Sequence, residues 1–273
     1  MPVIIDGTNG VSTPNTFAFK NRIIDGGFTI NQRGHTSGTA LSSGSYGHDR
    51  WKGGASGGTY TFTQGSTGVN TTITITAGSI IQVIEGANLP EGGTYVLSWT
   101  GTAQGKIGSG SFGASGITGT ITAGTNTNIE FNTGTCGNVQ LEVGSTATSF
   151  DYRPYGTELA LCQRYYQTIG GDASSQFAGT GMNYATNASN IYIPLLTKMR
   201  ATPTISFSSV SDWGVTYASG AQAVAIGIAS DQSSTVSANI SVTVSGTPLT
   251  NGGASKFIAQ ATTAARLNFS SEL

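Results

Sequence analysis

Few residues of this chain have the types and spacing that a chemical reaction requires. Glycoside hydrolysis needs two carboxylates that face one cleft, but the 13 acidic residues are scattered, and Glu85 and Glu91 flank a Pro-Gly turn. Ser56 stands in Gly-Ala-Ser-Gly-Gly, which spells a nucleophile elbow but lacks the helix that must follow it. We interpret the carboxylates as solvated loop charges and expect no enzyme.

The histidines and cysteines do not form a metal-binding pattern either. His35 and His48 are 13 residues apart, and even with Asp49 no third strong ligand completes the spacing of a zinc site. We expect no metal and no other cofactor. Two cysteines are too few for a disulfide framework, so we predict that Cys136 and Cys162 are reduced core residues, with a bridge between them as the alternative.

Aromatic and amide side chains near the C-terminus have the chemistry of a sugar-binding surface. Aromatic rings stack on the C–H faces of sugars, neighbouring Asn and Asp bind hydroxyls, and loops at the end of a rigid sandwich often carry such sites. A polar loop at 179–190 and a turn at 212–217 combine these residue types. The alternative is core aromatics and ordinary loops. The candidate glycan or receptor contacts are Asn183, Tyr184, Asp212, Trp213 and Tyr217.

Short β-strands must position these residues. Segments 71–76 and 239–245 alternate apolar and polar residues, so that Ile73 and Ile75 share one face. Turn signals separate many such segments, and no βαβ rhythm is present. This pattern predicts an all-β fold, with a jelly-roll sandwich followed by a short connector helix and a second, smaller β-sandwich.

The connector helix is predicted at 156–168. Val139 and Leu141 belong to an alternating strand, Pro154 ends the ladder, and Thr157 is placed to cap the helix. Because so short a helix is marginal alone in water, we expect it to pack where domains or copies of the chain meet. Charged side chains in this segment are interpreted as a stabilising cluster, within one chain or across subunits. The residues assigned to the connector and a trimer interface are Arg153, Tyr155, Glu158, Leu161, Arg164 and Tyr165.

Four parts are predicted along the chain: an N-terminal arm or docking segment at 1–20, the jelly-roll domain at 21–155, the connector at 156–168 and a β-sandwich tip domain at 169–273. Charged residues are only 9% of the composition. Flat strands with few charges leave their edges open to pairing with other chains. Symmetric assembly is one remedy, and we predict a homotrimer.

Three motifs give the chain a recognisable signature. They are NRIIDGGFTINQRG at 21–34, GHDRW at 47–51 and VQLEVGSTATSFDYRPYGTELALCQRYY at 139–166. Together they resemble a module of bacteriophage tail fibres and receptor-binding proteins, over about half of the chain. The resemblance implies a jelly-roll domain, a trimer, and a Trp51 that fills the sandwich core beside paired Asp and Arg. The alternative for Trp51 is a platform on which a sugar stacks.

The amino-acid composition limits the kinds of partner that we expect this protein to bind. The net charge is -1 and no run of Lys and Arg exists, so no nucleic-acid footprint is present. A surface of Ser, Thr, Asn and Gly is nearly neutral and suits contact with sugars or assembly into a multimer. No secretory signal and no apolar run of membrane-spanning length are evident. We therefore expect synthesis in a bacterial cytoplasm, incorporation into a virion and no membrane insertion.

The sequence as a whole predicts a virion fibre or spike subunit that attaches to the host surface by non-catalytic glycan binding. Its expected partners are two further copies of itself, another virion protein held through the N-terminal arm, and a bacterial surface glycan. Two alternatives stay open: a purely structural virion protein, such as a capsid fibre or a collar or baseplate component, and a surface-polysaccharide depolymerase.

Overall fold

The computed structural model is nearly all β, and it describes residues 4–6, 10–12, 19–171, 173, 175–217, 220–260 and 263–273. Most of the predicted arm at 1–20 lies outside the described residues. The chain divides into two compact units, residues 1–159 with Leu273 (unit 1) and residues 160–272 (unit 2). Each unit has its own cluster of buried apolar side chains. The predicted all-β class is confirmed.

Unit 1 is an antiparallel β-sandwich of jelly-roll type. Its main sheet order is β3-β4-β5-β10-β6-β8, with β9 beside β5 and β7 beside β9, while β1 and β2 form a separate hairpin. The strands are β1 (Ile4–Asp6), β2 (Gly10–Ser12), β3 (Ala40–Leu41), β4 (Lys52–Thr61), β5 (Ile73–Ile84), β6 (Gly93–Thr100), β7 (Gly105–Ile107), β8 (Ile117–Ile121), β9 (Thr127–Phe131) and β10 (Gly134–Val143).

β10 passes from one sheet of the sandwich to the other. Its first residues pair with β5, with Cys136 opposite Ile73, and its later residues pair with β6, with Leu141 opposite Leu97. Where β10 begins to pair with β6, the register shifts between Gly137 and Gln140, and Asn138 there has φ 49. A bulge of this kind bends a strand. The bend brings the two sheets over one core, whose fully buried aromatic members are Phe28, Trp51, Tyr60, Tyr95 and Phe131.

One long strand replaces two predicted ones. The sequence indicates strands at 71–76 and 80–85 with a turn between them, but β5 is continuous. The small residues at the centre form a β-bulge, because Gly78 has φ +64 and pairs with Gly58. A Cβ atom at Gly78 would lie 2.2 Å from the carbonyl oxygen of Gly57. Glycine is therefore required for close approach of β4 and β5.

The connector helix is shorter than predicted and begins earlier. α1 spans Tyr155–Gln163, and Pro154 O accepts the amides of Thr157 and Glu158 at 2.9 and 3.1 Å. Thr157 therefore lies inside the first turn and is not the cap. The predicted end at 168 is wrong because the β-prone residues after the helix form β11 (Tyr166–Ile169). No helix in the described part of the chain has the length and apolar character needed to cross a membrane.

Unit 2 is a second β domain, whose main sheet closes on itself. The barrel order is β12-β13-β17-β16-β15-β18, and a three-stranded sheet has the order β11-β19-β14. A barrel forms instead of an open sandwich because β18 pairs with both β12 and β15. The remaining strands are β12 (Phe177–Ala185), β13 (Ala188–Pro194), β14 (Thr204–Phe207), β15 (Trp213–Thr216), β16 (Gln222–Ser230), β17 (Ser237–Val244), β18 (Ala254–Ala259) and β19 (Leu267–Ser270).

Candidate functional site

The three sequence motifs meet in a buried hydrogen-bond network in unit 1. Trp51 Nε1 donates to Asp25 O at 3.0 Å, and Asp25 N donates to Glu158 Oε1 at 2.5 Å. Arg153 Nη1 donates to both carboxylate oxygens of Glu158 at 3.1 Å. The opening, middle and closing motifs are thus joined through specific polar contacts. Trp51 is fully buried, so its interpretation as a core residue is confirmed and the sugar-platform alternative is wrong.

Asp25 is the electrostatically unusual member of this network. Its Oδ1 accepts from the amides of Thr29 and Ile30 at 2.7 and 3.1 Å, while Oδ2 has no hydrogen-bond partner among the described residues. Burial, followed by the nearby charges of Asp49 and Glu158, raises the pKa of Asp25 well above its ordinary value. Burial and the neighbouring acids thus favour the protonated form of Asp25 relative to a carboxyl group in water.

The histidines also belong to the interior. His48 Nδ1 lies 2.9 Å from the hydroxyl of Tyr60, and Nε2 lies 3.1 Å from Gln64 Oε1. Burial lowers the pKa of His48 to about 4 and also lowers the pKa of His35. His48 is therefore neutral at physiological pH. Among the residues that the structure describes, no group of three His, Cys, Asp or Glu is arranged to hold a metal ion.

Both cysteines are free and buried, as predicted. Burial raises the pKa of the Cys136 thiol far above its ordinary value. The thiolate is the reactive form of cysteine. Cys136 therefore serves as a small apolar core residue.

Three of the five candidate recognition residues pack or hydrogen-bond within unit 2 instead of forming the predicted surface. Trp213 is fully buried and stacks on Phe257 at 4.9 Å between ring centroids. Asn183 is 1% exposed, and its amide donates to Thr250 O at 3.1 Å. Asp212 Oδ2 accepts from the Ser208 hydroxyl and the Ser209 amide at 2.6 and 3.1 Å. Trp213 and Asn183 therefore pack the barrel, and Asp212 caps a short 3₁₀ turn.

The other two candidates lie at the surface of unit 2. Tyr184 is 49% exposed, and its hydroxyl lies 2.8 Å from that of Ser241. Tyr217 lines a small cleft together with Lys256. The predicted loop at 179–190 is wrong, since these residues form the β12–β13 hairpin of the barrel. The five candidates therefore do not form one site.

The six residues assigned to the connector also divide into those that pack or bond within one chain and those that remain accessible. Arg153 and Glu158 form their ion pair within one chain. Tyr165 is fully buried and is unavailable for an interface between chains. The backbone oxygen of Arg164 accepts the amide of Arg200 at 2.8 Å. Tyr155 is exposed, and Leu161 and Arg164 are half-buried, so these three retain the accessibility that a subunit contact requires.

A cleft of unit 1 was not predicted from the sequence. Its volume is about 590 Å³, and β7, β8, β9 and their connecting loops form it. β8 pairs in the sheet with β6, whereas β7 and β9 pair with each other in the opposite sheet. At its floor, a Cβ atom on Gly119 would lie 3.1 Å from Ile107, so glycine allows the sheets to approach there. The signal in the sequence is that residues 107–129 contain no charged side chain.

Hydroxyl and amide groups give this cleft its chemistry. Thr118, Thr120 and Asn128 line it, are exposed, and have side chains without hydrogen-bond partners in the described part of the chain. The nearest charged residues along β7 and β9, Lys106 and Glu130, pair with each other at 2.8 Å. The cleft therefore presents neutral donors and acceptors, which suit a ligand rich in hydroxyl groups.

Known proteins offer no direct guide to the ligand. No family model matches the chain, and no curated protein or solved structure matches it.

Proposed function

We propose that this protein is a bacteriophage virion fibre or spike subunit of the tail-fibre type, which attaches to the host surface by non-catalytic glycan binding. The observation that carries the binding function is the neutral cleft of unit 1, with exposed Thr118, Thr120 and Asn128. Its polar groups match the hydroxyls of a sugar. The assignment to a virion rests on the resemblance of the three motifs, which the buried network joins.

Binding without hydrolysis is favoured by the lining of the cleft. A glycosidase places two carboxyl groups about 5–9.5 Å apart across the scissile bond. The residues that line this cleft include neither Asp nor Glu, and Glu130, farther along β9, is held by Lys106 and by Ser79 Oγ at 2.6 Å. The cleft therefore has the donors for recognition but lacks the acid and base for catalysis.

Several copies would compensate for weak binding at each site. The exposed residues Ile226, Val224 and Met182 on the barrel strands offer apolar surface that a homotrimer would cover. Linked sites raise the effective concentration of the second binding event and increase avidity about 10²–10⁴-fold. The arm at 1–20 would attach the subunit to another virion protein.

A glycan array probed with the full-length protein tests the proposal. Thr118→Ala with Thr120→Ala removes two hydroxyls from the cleft. At about 1 kcal/mol for each hydrogen bond, affinity should fall roughly 30-fold. Thr61→Ala with Thr63→Ala is the matched control, because both residues are exposed at or just after the end of β4 and neither lines the cleft.

Equal binding by both double variants would refute the placement of the site. Absence of binding to any surface glycan by the oligomer would favour a purely structural virion role. A translucent halo that expands around a drop of protein on a capsulated lawn would instead show depolymerase activity.

A further inference from the structure

A second cleft lies on the outer wall of the barrel in unit 2. Its volume is about 360 Å³, and β12, β15 and β18 supply its walls. The side chains that give it chemical character are Thr180, Thr216, Tyr217 and Lys256. The cleft therefore combines hydroxyls, an aromatic ring and a cation.

Strand register places three of these side chains in one row. Lys256 on β18 lies opposite Thr180 on β12 and opposite Thr216 on β15. Directly opposed residues of antiparallel strands point to the same face, with Cβ atoms about 4.5–5.5 Å apart. The ammonium group thus has a threonine on each side in a row about 10 Å wide, which is comparable with a sugar unit.

Charge distinguishes this cleft from the one in unit 1. Lys256 is the only charged residue in the six barrel strands, it is exposed, and it has no ion-pair partner among the described residues. A lone cation attracts a ligand with one negative charge. A phosphate carries about -1.5 to -2 charges at neutral pH and would need further cations, whereas a carboxylate is balanced by one lysine.

We propose that this cleft binds a sugar unit that carries a carboxylate. The carboxylate pairs with Lys256 Nζ, while the half-buried Tyr217 offers its ring to a C–H face of the sugar. Thr216 Oγ1 has no hydrogen-bond partner in the described part of the chain, and rotation about χ1 turns this hydroxyl toward the ligand. That the ligand is a sugar rests on the proposed function; that it is a monoanion rests on Lys256.

Calorimetric titration of the full-length protein tests this site. The probes are an oligosaccharide that contains glucuronic acid and the same oligosaccharide with its carboxyl group reduced to an alcohol. The wild type should bind the acidic form at least tenfold more tightly, as one charge-assisted hydrogen bond allows. Lys256→Gln should abolish this preference, Lys256→Arg should retain most of it, and Lys198→Gln, at another exposed lysine of unit 2, should leave it unchanged.

The controls separate this inference from the proposed function. Equal affinity of the wild type for both oligosaccharides, or a preference that survives Lys256→Gln, overturns the acidic-sugar site. Competition by acetate or by inorganic phosphate as strong as that of the oligosaccharide also overturns it, since the site would then recognise any anion. The double variant Thr118→Ala with Thr120→Ala reports on the unit 1 cleft alone, so that failure of either site is recognised independently.

Discussion

Replacement of Arg153 should strongly destabilise unit 1, because this side chain neutralises Glu158 inside the protein. The exposed fractions of the two side chains are 5% and 12%. Arg153 donates to both oxygens of Glu158, to Ile23 O at 3.1 Å and to the carbonyl of Asn21. Arg153→Met keeps much of the alkyl length but leaves a buried carboxylate and two carbonyl oxygens without these donors.

The expected loss follows from the burial of the pair. Removing one partner of a buried ion pair costs about 3–5 kcal/mol, and for a domain of this size each kcal/mol lowers Tm by about 2–4 °C. Arg153→Met should therefore lower the Tm of unit 1 by roughly 6–20 °C. Arg22→Met is the matched control. Arg22 pairs with Glu91 at 2.5 Å, but their side chains are 24% and 47% exposed, so its loss should cost only about 0–1 kcal/mol.

Urea unfolding, monitored by tryptophan fluorescence, measures the free energy of unfolding of both variants, since Trp51 and Trp99 lie in the core of unit 1. Combining Arg153→Met with Glu158→Gln should restore part of the stability, because no unpaired charge then remains buried. If Arg153→Met and Arg22→Met lower the free energy of unfolding equally, the ion pair does not stabilise the fold in the way its burial indicates.

Three further outcomes follow from the interior of unit 1. Because the pKa of Asp25 is raised, its contribution to stability is present at low pH and is lost as pH rises through that pKa. In urea unfolding, the stability of Asp25→Asn relative to wild type should therefore increase with pH. A decrease would contradict the burial argument. An NMR titration of His48 should give a pKa of about 4, because burial lowers it. Since the unfolded chain binds this proton more readily, acidification from pH 7 to pH 4 should reduce the free energy of unfolding by about 3 kcal/mol through this group. Gly78→Ala should prevent folding or lower Tm sharply, because its Cβ would strike Gly57 O, and a near-normal melting curve would argue against the bulge.

Sequence alternation predicted strands well where one face is buried by neighbours on both sides. β17 is the clearest example, since Ile240, Val242 and Val244 are buried while the residues between them are half-buried. The strand must place its apolar face in the core whichever strands pair with it. The alternating segment predicted at 239–245 therefore coincides, except for its last residue, with part of the observed strand Ser237–Val244.

The candidate recognition residues were less predictable because residue type does not determine burial. Trp213 is chemically suited to stacking on a sugar, but β15 pairs with β18 and points this ring into the barrel against Phe257. The polar segment around Asn183 resembled a loop, yet β12 pairs on both sides, with β13 and β18. The pairings of β18 with β15 and with β12 join segments about 40–80 residues apart, which local propensity does not encode.

Substitutions in the buried network and in the clefts differ in how much they reduce the stability of the protein. Substitution of Arg153 is expected to cost several kcal/mol, whereas exposed Thr118 and Thr120 make no side-chain hydrogen bonds within the described chain, and replacement of such surface residues usually alters stability by less than about 0.5 kcal/mol. The motifs that make the chain recognisable therefore maintain the scaffold. The glycan-binding function that we propose would therefore change its specificity through substitutions in the clefts, at little cost to folding and with the network intact.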